Sequence, residues 1–213
     1  MSRRATQRRG AECSLAMLLA LSITGCSVAL FPEQQSQRVF TLPYSYSPQA
    51  TTHQQSRAIP ALKVARPHAS GVLNGQRVII EAAANELAAY EGIRWMTDAP
   101  ALLQDHLVRA LRDDPRLGTV VSDISGAGSD LVLTSEIMAF QERSHGGEPG
   151  VLLQLQAQLV ENGSRRVVAT KDVSLVAPVS GDGIEPVVAA FGEASDRLAA
   201  ELADWLAAEL QGY

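Results

Sequence analysis

Through residues 151–160 the chain alternates without a break: Leu153, Leu155, Ala157 and Leu159 are apolar, and Gln154, Gln156 and Gln158 stand between them. Successive side chains of a strand point to opposite faces, so a period of two demands a strand with one face on a core and the other wet or paired. Asn162-Gly163 follows at once. That dipeptide suits a tight hairpin turn, whose two central residues both need positive φ. Residues 166–175 should then return, and the apolar run 131–140 should supply a third strand, giving an antiparallel meander. The glutamine row reads as a solvated sheet face or as an interface.

Helices are expected on either side of this meander. Asp98 can cap one, with Pro100 in its first turn. Leu103, Leu107, Ala110 and Leu111 then recur at the spacing of one helical face, and Asp113-Asp114-Pro115 ends the run. The last helix places Val188, Phe191, Leu198, Leu202 and Trp205 on one face, with Glu193, Arg197 and Glu201 as four-residue-spaced charge pairs on another. Residues 39–42, 61–64, 77–81 and 117–121 are short strand candidates, 73–76 is a turn, and 85–90 is ambiguous, its Ala and Glu favouring helix locally over a short stretch. These elements predict an α+β fold: a mainly antiparallel sheet packed on one face by two main helices, a two-layer sandwich.

The amino terminus is an address. Arg3, Arg4, Arg8 and Arg9 precede a short apolar run at 14–23, which spans only ~15 Å as a helix, about half a bilayer core. A basic start before a short apolar stretch is a signal peptide. It ends in Ile23-Thr24-Gly25-Cys26, the pattern of a bacterial lipobox, so cleavage falls between Gly25 and Cys26 and the Cys26 thiol carries the lipid. The expected organisation is a signal peptide at 1–25, a lipidated tether at 26–38 and one α+β domain at 39–213, with a polar loop at 43–58. Several acyl chains anchor stably where one is marginal. Ser27 after the cysteine favours the outer membrane, with the domain facing the periplasm.

Removing the signal takes away four arginines and Glu12, so the formal charge of −5 becomes about −8. An acidic body without basic patches excludes nucleic acid as a partner. His53, His68, His106 and His145 are scattered and read as surface or loop residues. Neither HExxH, GxSxG nor SxxK occurs. The glycine loops around 126–128 and 181–183 lack a Walker lysine and read as plain loops. Asp113 and Asp114 read as a solvated helix end. No catalytic residue, metal ligand or cofactor is expected. Arg94-Trp95 reads as a packing anchor or as a partner contact, since a buried Trp needs a large cavity and an acceptor for its N–H.

Taken in order, the landmarks resemble the ABC-type transport auxiliary lipoprotein family, the outer-membrane lipoproteins of paraquat-inducible and other MCE-type lipid transport systems. The resemblance runs from about Phe40 to Leu210. It is carried by Phe40-Thr41-Leu42, Pro60-Ala61-Leu62-Lys63-Val64, Tyr90 with Arg94-Trp95, Pro100 with Leu103, and the strand ending at Phe140. Leu155 to Leu159 with its hairpin, and Ala190-Phe191, Leu198 and Trp205-Leu206, complete it. Phe40 stands where the family usually has Tyr, the polar insert at 43–58 is longer, and Ala82-Ala83-Ala84 replaces an edge that is often rich in Arg and Tyr.

The resemblance implies a binding and docking role beside an inner-membrane ABC permease and its ATPase, with an MCE-domain protein as direct partner. It marks Tyr90, Arg94 and Trp95 as family-motif residues. A homo-oligomeric ring would fit such a partner. The alternative is an envelope-assembly or structural lipoprotein.

Overall fold

The structure, a computed structural model, describes residues 37–48, 59–147 and 149–212. The signal peptide, Gly25 and Cys26 lie outside the described residues. Strands β1 (Arg38–Phe40), β2 (Leu62–Val64) and β3 (His68–Ala69) lead to a 3-10 turn at Gly71–Leu73 and a hairpin of β4 (Arg77–Ala83) and β5 (Glu86–Trp95). Helix α1 (Ala99–Asp113) and β6 (Val120–Ser122) follow. Then come β7 (Leu131–Arg143), β8 (Gly150–Glu161), β9 (Val167–Pro178) and helix α2 (Ile184–Gln211). No helix among the described residues is long and apolar enough to cross a membrane.

The meander forms as the alternation demands. β8 pairs antiparallel with β7 from Leu131↔Glu161 to Arg143↔Gly150, and with β9 from Gly150↔Pro178 to Val160↔Val167. Leu153, Leu155, Ala157 and Leu159 are buried, whereas Gln156 and Gln158 are exposed. The turn differs from the expected one. Asn162 and Gly163 keep negative φ, and Arg165 takes the left-handed conformation at φ 61°. The Arg165 N–H reaches the Glu161 carbonyl and the Glu161 N–H reaches the Arg166 carbonyl, so a four-residue loop replaces the two-residue turn.

The sheet is curled and mixed, which corrects the expectation of a mainly antiparallel one. Among the described residues nine strands run in the order β1-β5-β4-β7-β2-β6, with β3 and β8 also on β7 and β9 on β8. Five of the eight pairings are parallel: β1–β5, β2–β6, β2–β7, β3–β7 and β4–β7. Antiparallel pairing is confined to the β4–β5 hairpin and the meander. A parallel neighbour needs a long crossover, so partners such as Phe40 and Trp95, or Leu62 and Leu131, are far apart in sequence. The strand's own residues do not record such a neighbour.

Both helices form as expected. Asp98 accepts from the Ala101 N–H at 3.0 Å, and Leu103, Leu107, Ala110 and Leu111 are fully buried. In α2, Phe191, Leu198 and Leu202 are fully buried, with Trp205 partly so. Arg197 lies 4.0 Å from Glu193 and donates to the Val176 carbonyl at 2.9 Å. At the centre of the core, Trp95, Phe140 and Phe191 pack with ring centroids 4.7–6.2 Å apart.

The insert after β1 begins as a packed strap. Pro43 lies so close to α2 that a Cβ on Gly192 would come within 2.8 Å of it. Glycine inside a helix costs ~1 kcal/mol relative to alanine, and here it makes room for the strap. Tyr44 donates to Asp113 at 2.9 Å and lies under the Arg109 guanidinium, and the Ser45 N–H reaches Asp196 at 3.0 Å.

The paired aspartates are a solvated helix end only in part: Asp113 is exposed at the end of α1, whereas Asp114 is 1% exposed. Asp113 holds the strap, and Asp114 is buried against Arg116, at 2.6 Å from Nη2. Burial alone would raise the Asp114 carboxyl, but the Arg116 hydrogen bonds outweigh it and hold it below its ordinary range.

Candidate functional site

The segment read as ambiguous, 85–90, lies almost wholly in strand β5, and its tip is bare. Residues 82–88 are exposed, with Asn85 in the left-handed conformation at the turn. Further along, the hairpin loses its register. Arg77 opposes Arg94 and Ile79 opposes Ala89, so β5 advances five residues while β4 advances two. The surplus bulges at 90–93, with Gly92 at φ +68°. Bulges bend a strand and re-aim its side chains, and they recur beside functional sites.

Against this bulge lies an open cleft of about 770 Å³. Its walls include Tyr90 and Arg94 from β5, Gln76 and Arg77 from the start of β4, Val72 from the 3-10 turn, and Gln37 at the entry of the chain into the fold. Backbone bonds from Trp95 N–H to Gln76 O and from Ala99 N–H to Gly75 O brace it. Two residues marked by the resemblance, Tyr90 and Arg94, thus share one wall, and Trp95 does not join them. Trp95 points inward, fully buried against Phe140 and Phe191.

Arg94 Nη1 donates to Gln76 Oε1 at 2.9 Å, while its Nε is buried and the protein offers it no acceptor. The Tyr90 hydroxyl donates to Glu142 Oε2, a carboxylate only 6% exposed. Burial, and then this bond and the charge beside it, push the Tyr90 hydroxyl well above its ordinary value. Tyr90 is therefore a fixed neutral wall.

A second polar cluster lies under the strap. His106, expected at the surface, is 5% exposed. Its Nε2 is 3.0 Å from Asp196 Oδ1, close enough for an ion pair but without hydrogen-bond alignment. The Tyr44 ring meets the imidazole edge-on, with centroids 5.1 Å apart. Burial pushes the His106 pKa down, Asp196 acts against it, and Arg109 adds to it.

A shallower hollow of about 320 Å³ lies on the outer face of the meander among Met138, Gln154, Gln156 and Asp172. There Gln154 donates to Ser174 Oγ at 3.1 Å. Among the described residues, no group of three or more His, Cys, Asp or Glu could hold a metal.

An acidic α+β domain with an open cleft at its chain entry is the class this structure defines. The sequence matches the family model of the ABC-type transport auxiliary lipoprotein component over residues 40–203, and the chain belongs to that family. Among solved structures, a Xanthomonas campestris protein of the DUF330 family is 26% identical with a TM-score of 0.73, covering 82% of this chain and 97% of that one. An uncharacterised protein at 17% identity has a TM-score of 0.63 and covers 80% and 99%. No curated protein matches the sequence.

Sequence reasoning missed Arg77, Gln76 and Glu142, and it missed the His106–Asp196 pair. Arg77 becomes a partner of Arg94 only through the hairpin register. His106 joins Asp196 only when α1 and α2 pack together. The sole local signal was Gly92, a glycine within a strand-like run, which commonly marks a bulge.

Proposed function

We propose that this chain is a lipid-anchored accessory of an ABC transport system of the MCE type. It faces the periplasm from the outer membrane and acts by binding and docking rather than by catalysis. The family match over residues 40–203 carries the reading. The lipobox at Gly25-Cys26 supports the anchor, and the acidic charge supports it indirectly, because such a body is not held to an anionic surface by its own charge. In this reading the MCE-domain protein is the direct partner, the permease and ATPase act at a distance, and copies of the chain form a ring beneath the partner. The moved cargo is a lipid or another hydrophobic molecule.

Cross-linking in intact cells followed by purification from the membrane tests the partner. Recovery of an MCE-domain protein supports the reading, and recovery of outer-membrane assembly or peptidoglycan proteins instead replaces it with an envelope-structural role. Cys26→Ala should accumulate as an unprocessed, mislocalised precursor on fractionation. Normal size and normal outer-membrane partition of that variant would remove the anchor from the account.

A further inference from the structure

The bulged cleft carries a pair of like charges that the fold does not neutralise. Arg77 and Arg94 are directly opposed across β4 and β5, and like charges so placed repel. Among the described residues neither has an ion pair, although the chain is acidic overall. Other arginines are engaged: Arg38 with Glu185, Arg66 with Asp98, and Arg116 with Asp114 and Asp204. Arg94 is oriented by Gln76 and keeps a buried Nε without an acceptor. Glu91 lines the same cleft and pairs with neither arginine.

Two forks converging on one hollow match an anion with several oxygens, above all a phosphate, because planar guanidinium groups bind it through two parallel hydrogen bonds each. Exposed apolar side chains lie beside them. Val72 lines the cleft and is 50% exposed, and Val39, which neighbours Arg94 across β1 and β5, is 48% exposed. A phosphate beside exposed apolar surface is the chemistry of a phospholipid. Position agrees with it. Gln37 lines the cleft and stands eleven residues after Cys26, a span of at most ~40 Å when fully extended. The cleft thus sits where the chain arrives from its anchor, within reach of the bilayer surface.

We propose that the Arg77–Arg94 cleft binds the phosphate headgroup of an anionic phospholipid of the membrane to which the chain is anchored. The proposal rests on the anchored half of the functional reading and not on the MCE partner. An intact mass showing acylated Cys26 checks that half separately.

The test uses the full chain, purified from membranes in detergent and titrated with dioctanoyl phosphatidylglycerol, dioctanoyl phosphatidylcholine and inorganic phosphate. Phosphatidylglycerol should bind at least ten-fold more tightly than either of the others. Arg77→Gln with Arg94→Gln should weaken it ten-fold or more, Arg77→Lys should weaken it less, and Arg165→Gln at the β8–β9 turn should leave it unchanged. Arg77→Gln should also leave the unliganded melting temperature unchanged or raised, since it relieves repulsion. Equal binding of the two lipids, or a double variant that binds as the parent does, overturns the site. Inorganic phosphate binding as tightly as phosphatidylglycerol overturns the lipid as its source.

Discussion

The meander and the bulged hairpin are both antiparallel, and they are built for opposite purposes. In β7–β8–β9 the register shifts only by single irregularities, and in the central strand β8 the buried face follows the sequence alternation from Leu153 to Leu159. In β4–β5 the register slips by three residues within one step, the tip is exposed, and the slip opens the cleft. A strand with one face on the core is held in register by burial, because a one-residue slip would turn its apolar side outward. Residues 89–94 include no fully buried side chain, so no apolar face holds that segment in register and it is free to bulge. Continuous burial makes the scaffold, and its local failure makes the site.

Trp95 joins the two regions, and its loss tests the comparison most severely. Trp95→Ala should destabilise the fold by ~3–5 kcal/mol, read as the midpoint shift in chemical denaturation. An unchanged midpoint would mean that the hairpin is not tied to the core shared with Phe140 and Phe191. Gly92→Ala acts on the hairpin alone. A side chain at φ +68° is strained, and the expected cost is ~1–2 kcal/mol, together with weaker ligand binding in the cleft. Amide exchange in β8 should stay as in the parent, and loss of protection there would merge the two regions into one unit.

Acid should separate the helix layer from the hairpin. The His106 pKa is lowered in the fold from its ordinary 6.5, so below that pH the unfolded chain takes up a proton that the folded chain refuses. Stability is therefore full above pH 6.5 and falls as the pH drops, by at most ~1.4 kcal/mol per pH unit for one proton. Asp114 is held below its ordinary 3.8, so its contribution is lost only in stronger acid. His106→Gln should flatten the slope between pH 6.5 and 5, and an unaltered slope would assign it elsewhere. Leu87 at the bare tip gives the smallest effect. It is 42% exposed, and Leu87→Ser should change stability by no more than ~0.5 kcal/mol. A larger loss would show that the tip is packed.

The readable parts of the chain share one property: their burial is periodic along the sequence. The stripe of α1, the face of α2 and the alternation of β8 each announce which side meets the core. The strap at Pro43, Tyr44 and Ser45 carries no period, since each residue is held by a different partner on α1 or α2. The cleft was half legible. Tyr90 and Arg94 stood out, but Arg77 needed the register and Gln37 needed the parallel seat of β1 on β5.

By itself the sequence determined the two helices, the boundaries of the first, the three-strand meander and the α+β class, because local spacing sets which side chains share a face. Tertiary structure decided the five parallel pairings, the bulge at 90–93, the burial of His106 against Asp196 and the convergence of Arg77 with Arg94. Each of these depends on residues brought together from separate elements, and such meetings have no period to leave in the chain.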